Sequence, residues 1–202
     1  MNISVIVTNY NYGPLLGRCL RSLLQQSLSI SEYEIIVVDD ASTDDSREIL
    51  SAFEDPIRVI NLDENVGLAG ASNIGIKAAR GRYIVRVDAD DYVHTDFLKV
   101  LLMGFEFFGR EFEAISLDYI NVTQAGEFLQ YGDSVLSPIA CAIAFKLDAL
   151  EQIGFYNDNL RVHEEVDLRI RFLEEGFKIK RINLPLYRYV NHKSSLSRRT
   201  LI

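Results

Sequence analysis

The chain has 202 residues, 21 of them basic and 29 acidic, for a formal net charge of −8, and 48% of it is hydrophobic. Such a composition fills one sizeable globular core, while four prolines and twelve aperiodic glycines exclude collagen-like and low-complexity chains. The acidic excess argues against nucleic acid as a partner, because a face that grips phosphates needs clustered Lys and Arg.

Two cysteines far apart, Cys19 and Cys141, read as reduced buried thiols. The start lacks a charged n-region, and the longest apolar run, residues 139–145, is too short to cross a bilayer. The expectation is a cytoplasmic domain.

In chain order, residues 3–7 (ISVIV) form a short β-branched run, a buried strand. Leu15, Leu16, Cys19, Leu20, Leu23 and Leu24 then recur at helical spacing. Residues 35–38 are a second buried strand, 45–53 a helix, 58–60 a third strand, 68–79 a helix rich in small residues, and 83–87 a fourth strand. Strands alternating with helices at this spacing predict a parallel sheet covered on both faces. Beyond residue 96 the pattern loosens. Helices are expected over 97–108, 147–153 and 165–175, and strands over 114–118, 121–122, 142–145, 178–182 and 186–190, with 131–137 as a loop. One mixed α/β domain results, with a nucleotide-binding front half (1–96) and a more irregular rear half (97–202).

Carboxylates at the ends of buried strands are expensive unless they have work to do. Asp39 and Asp40 end the second strand; Asp88, Asp90 and Asp91 follow the fourth. In an open parallel sheet those strand ends line the ligand crevice, beside Thr8 and Tyr10. Three carboxylates within four residues suit a hard cation, Mg²⁺ or Mn²⁺, although a solvated acidic turn also explains such a run. Small residues between Asn65 and Asn73 serve close helix packing or a backbone approach to a diphosphate; without a GxGxxG after the first strand, a dinucleotide site is disfavoured. Glu164, Glu165 and Asp167 open an amphipathic helix, where the helix dipole favours acids and where a carboxylate can also act as general base. His192 is a surface residue or a ligand.

Taken in order, ISVIVTNYN, VVDDASTDDS, NVGLAGASNIGIKAARGRYIVRVDADD and GFYNDNLRVHEEVDLRIRFLEEG resemble the family 2 glycosyltransferases of the GT-A (Rossmann-like) fold, over residues 3 to about 197. The resemblance implies an inverting enzyme that moves a single sugar from a nucleotide-sugar donor, UDP-sugar favoured, with Mg²⁺ or Mn²⁺ on the diphosphate. It places Thr8, Tyr10 and Asp40 on the base with Asp39 beside them, and Asn65 and Gly67 along the nucleotide. Asp88 goes to ribose or metal, Asp90 to metal and His192 to metal or diphosphate, with the rear half (97–202) serving acceptor and catalytic base. Glu165 falls where the family carries the Asp of its ED motif, the general base, with Glu164 or Asp167 able to share the role. Ser72 stands where many members have Arg, so Lys193 or Arg198 is expected to take the diphosphate contact. The chain lacks the QxxRW element of polymer synthases, which favours single transfer to a saccharide or lipid-linked saccharide. Donor selectivity is assigned to the Asp88 turn and residues 121–138. A basic tail (Lys193, Arg198, Arg199) and the aromatics of 105–108 suggest peripheral contact with the inner face of the membrane. A nucleotide-sugar-binding module without turnover is the alternative, and a nucleotidyltransferase is disfavoured by the absence of a basic Gly-rich loop after the first strand.

Overall fold

The computed structural model describes residues 1–53, 55–136 and 139–192. Lys193, Arg198 and Arg199, and the last two positions of the 121–138 segment, lie outside the described residues.

The front half is built as its periodicity dictates. Strands β1 (Ile3–Asn9), β2 (Tyr33–Asp39), β3 (Ile57–Asn61) and β4 (Tyr83–Asp88) run parallel in the order β3-β2-β1-β4. Between them lie helices α1 (Gly13–Leu24), α2 (Ser46–Ser51) and α3 (Gly67–Ala78). Helix α1 starts on Pro14, which suits an N-terminal turn, and buries Leu15, Leu16, Cys19, Leu20 and Leu23. The small residues of α3 let it approach the sheet closely: a Cβ on Gly75 would fall 2.6 Å from Ile6 Cγ2.

In the rear half come β5 (Tyr92–Val93), α4 (Phe97–Phe108), β6 (Ala114–Thr123), β7 (Phe128–Gly132), β8 (Ile143–Lys146), α5 (Leu147–Ile153), α6 (Glu164–Glu174) and β9 (Ile179–Asn191). The sheet continues β4-β8-β6-β9-β5, with β7 on β6, and is mixed here: β8 is antiparallel to β4 and β6, β7 to β6 and β5 to β9, whereas β6 and β9 are parallel. Two pairs of expected strands are single ones. β6 runs unbroken, and β9 continues through a register shift around Pro185, where a residue without an N–H is tolerated. The expected loop over 131–137 begins instead inside β7.

Only Ala89, Asp90 and Asp91 separate β4 from β5, yet these strands stand at opposite ends of a five-strand path. The sheet therefore curls back on itself, and its seam is the acidic turn. One hydrophobic cluster joins α1, α4 and the inner side of the curl; another joins α3, α5 and α6 on the opposite face.

Candidate active site

The register of β1 sets Thr8 between Val38 and Asp88 and Asn9 beside Asp39, at the carboxyl ends of three parallel strands. The loops beyond them contain left-handed residues that are not glycine, Asn11 and Ala41, and two more, Ala142 and His163, precede β8 and α6. Such backbone is uncommon and collects at functional sites. Thr8 Oγ1 is buried and has no hydrogen-bond partner among the described residues, and Tyr10 lies half-exposed beyond it.

The paired aspartates divide their tasks. Asp39 is fully enclosed: Oδ1 accepts from Asn9 Nδ2, and Oδ2 accepts from the Ser42 N–H and Arg47 Nε. These bonds tie the loop after β2 to the end of β1. Asp40 accepts from the N–H groups of Val66 (2.7 Å) and Gly67 (2.9 Å), while Asn65 Nδ2 donates to its carbonyl. This fixes the start of α3 against the end of β2. Gly67 has φ +85°, and a Cβ there would meet Arg161 Nη1 at 2.5 Å, so a guanidinium lies across the entry to α3.

At the turn, one oxygen each of Asp88, Asp90 and Asp91 lies within 4.8 Å of the others. Asp91 is committed elsewhere. Its Oδ1 accepts from the Val190 N–H and its Oδ2 from the Tyr187 hydroxyl, both at 2.7 Å, and that hydroxyl in turn accepts from the Asp88 N–H. This clamp fastens the turn to β9, whose continuation brings His192 Nε2 to 2.7 Å from Asp90 Oδ2. Burial, and then the charge of Asp88, push the Asp90 carboxyl up; burial and the same neighbours raise Asp91 further. Asp88 Oδ1 is buried and, among the described residues, makes no hydrogen bond, although Arg86 Nε lies 3.3 Å from it. Crowded carboxylates and an imidazole are a donor set that fits Mn²⁺ or Mg²⁺.

Arg86, on β4, joins this turn to α6. Its Nε lies 3.3 Å from Asp88 Oδ1, its Nη1 bonds Glu164 Oε1 at 3.2 Å, and its guanidinium sits over the Tyr156 ring. Burial pushes the Tyr156 hydroxyl up to about 12 and raises Glu164, which Arg86 partly offsets. Glu164 is thus a buried ion-pair member. Asp167 is held by Arg171 through Nε and Nη2 at 2.8 and 2.6 Å. Glu165, partly exposed at the start of α6, makes no hydrogen bond or ion pair among the described residues.

The family model described as Glycosyl transferase family 2 matches residues 4–155, three quarters of the chain. The chain belongs to that family. Among its relatives, the putative teichuronic acid biosynthesis glycosyltransferase TuaG of Bacillus subtilis is 31% identical over 96% of this chain and 81% of its own length. Solved structures agree on the fold. S. aureus TarS 1–349 in complex with UDP-GlcNAc superposes with a TM-score of 0.84 at 20% identity, covering all of this chain and 62% of that one. The mannosyltransferase PcManGT of Pyrobaculum calidifontis, in complex with GDP-Man and Mn2+, gives 0.76 at 20%, over 96% and 58%. The chain spans about three fifths of those solved chains.

In this family 2 glycosyltransferase, then, Thr8 is the register partner of Asp88, the Asp40 N–H donates to the carbonyl of the residue after Thr8, and His192 meets Asp90. Arg86, Tyr187 and Arg161 were missed from sequence, as was the pairing of Glu164 with Arg86. A charged residue inside a buried strand was the available signal for Arg86; the others gain meaning only from the register that brings distant segments together.

Proposed function

We propose that the enzyme transfers a single sugar from a nucleotide-sugar donor, a UDP-sugar by preference, to a hydroxyl of a saccharide or lipid-linked saccharide with inversion at the anomeric carbon, in surface polysaccharide assembly. The observation that carries this reading is the 2.7 Å contact between Asp90 and His192, residues from distant strands that meet beside Asp88 and the unpartnered Thr8 hydroxyl. The donor in the TarS complex and the role in TuaG's name support it.

Thr8, Tyr10 and Asp40 hold the base and Asn65 and Gly67 border the nucleotide, with Arg161 placed toward the diphosphate. Asp88, Asp90 and His192 hold Mn²⁺ or Mg²⁺. When bound, that ion neutralises charge developing on the departing diphosphate. Glu165 takes the proton from the attacking hydroxyl, since Glu164 is tied to Arg86 and Asp167 to Arg171. Arg86 spans Asp88 and Glu164 and so fixes the base-bearing helix relative to the donor turn.

A thermal melt with UDP, with and without Mn²⁺, tests the donor site. A ligand at a hundredfold excess over Kd stabilises by about 2.7 kcal/mol. The shift is expected to need the metal and to vanish in Asp90→Ala; a metal-independent shift overturns the assignment. Glu165→Gln is expected to keep the shift and lose about 10²–10⁴ in kcat.

A further inference from the structure

The hairpin of β6 and β7 exposes an aromatic pair inside the segment to which the sequence assigned donor selectivity. Phe128 is 57% and Tyr131 71% exposed, and their rings meet edge to face at 5.1 Å. Residues three apart in a regular strand point to opposite faces. Here Tyr131 pairs with Ile120 and Phe128 with Val122, so the extra residue of a bulge returns both rings to one face.

The register shows which face. Ile84 of β4 pairs with Phe145 of β8, which pairs with Ala114 of β6. Two successive antiparallel pairings make β4 and β6 parallel, so Asp88 and Asp118 stand level, each four residues further on. Alternation then puts Arg86, Asp88, Ile120 and Val122 on one face of the sheet. Ile120 and Val122 lie beyond the end of β4, over the crevice. A cross-strand row, Tyr131–Ile120–Arg188–Tyr92, leads back to the residue after Asp91. It crosses three strand spacings, about 14 Å. The hairpin tip is pinned there: Arg18 lies over the Tyr92 ring and donates to the Gln124 carbonyl.

We infer that Tyr131 and Phe128 form a stacking platform for the acceptor saccharide, engaging a sugar at least one unit removed from the hydroxyl that reacts. This deepens the transferase reading and rests on it. Two aromatic faces with the polar side chains of Glu127, Gln130 and Asp133 beside them, and Leu129 exposed between them, match a pyranose, which presents an apolar C–H face and a hydroxyl edge. An anionic membrane is a poorer fit, since the nearby guanidinium groups are engaged within the fold (Arg18 with the Gln124 carbonyl, Arg181 with Asp118 and Asp133, Arg188 with the Pro185 carbonyl) and Glu127 and Asp133 flank the rings.

The test is saturation-transfer NMR with cellotriose and chitotriose against glucose and N-acetylglucosamine, in the presence of Mg²⁺ and UDP. The trisaccharides are expected to receive saturation and the monosaccharides much less. Tyr131→Ala should weaken trisaccharide binding about tenfold and Tyr131→Phe should retain it. The UDP-dependent melting shift should be the same in wild type and both variants. Trisaccharides that fail to bind the wild-type chain, or bind Tyr131→Ala equally, overturn the platform while the UDP shift still supports the donor site. A missing UDP shift in the wild type instead strikes the donor reading, and the trisaccharide result then judges the platform alone. Self-association or binding to anionic vesicles that Tyr131→Ala abolishes would also overturn it.

Discussion

Asp91 shows how a carboxylate beside the proposed metal site can matter through the backbone and hydroxyl it holds. Both its oxygens accept hydrogen bonds from β9, and it is 1% exposed. Asn in its place keeps one acceptor and turns an amide N–H₂ toward a donor. Asp91→Asn is therefore expected to loosen the turn from β9 and weaken Mn²⁺ binding about 10–100-fold, the usual cost of losing a group that orients ligands. Electron paramagnetic resonance titration of Mn²⁺ measures this directly. Unchanged affinity would mean that the turn holds Asp88 and Asp90 without β9. The aspartates themselves were legible in the sequence, because acids at the ends of apolar strands break the burial pattern. Their division of labour was not. Asp39 and Asp40 look alike in a string, and only the packing of Asn9, Ser42 and Arg47 around one and α3 against the other separates them.

Elements were legible where burial is periodic: α4 and α5 span the residues their apolar spacing predicts. β7 was not, since Phe128 to Tyr131 are all exposed and give no alternation, and β5 is two residues long. β7 is made by its hairpin partner β6 and β5 by β9, almost a hundred residues on. The junction of β6, β9 and the segment after β7 is held by charge. Asp118 accepts from Arg181 Nε and Nη2 and from the Ser134 N–H, while Arg181 also reaches Asp133. Burial pushes the Asp118 carboxyl up, but the bonds from Arg181 and Ser134 outweigh it and hold it below its ordinary range. A depressed carboxyl contributes stability that is present above its unfolded pKa, about 3.9, and is lost as pH falls through the lower folded value. Asp118→Asn is accordingly expected to melt at a lower temperature than wild type at pH 7, with the gap closing below about pH 4. A gap independent of pH would assign the loss to shape and not to charge.

At the scale of the whole molecule, the curl gives each half of the chemistry its own core. Phe97 is fully buried on α4 and packs against Tyr187, whose hydroxyl belongs to the clamp on the acidic turn. Phe172 is fully buried on α6, on the opposite face, between Phe145 and Phe177. Truncating either to Ala removes a similar ring and costs about 3–5 kcal/mol. The functional losses should differ. Phe97→Ala releases Tyr187, so Mn²⁺ affinity is expected to fall with little effect on kcat at saturating metal. Phe172→Ala frees the helix that begins at Glu164 and Glu165, so kcat is expected to fall about 10²-fold, the cost of a misplacement near 1 Å, with Mn²⁺ affinity unchanged. Both variants are compared with wild type at a temperature where chemical denaturation shows all three folded. If each variant loses metal affinity and kcat together, the two cores act as one, and the seam at Ala89 to Asp91 transmits disturbance from either face to the whole crevice.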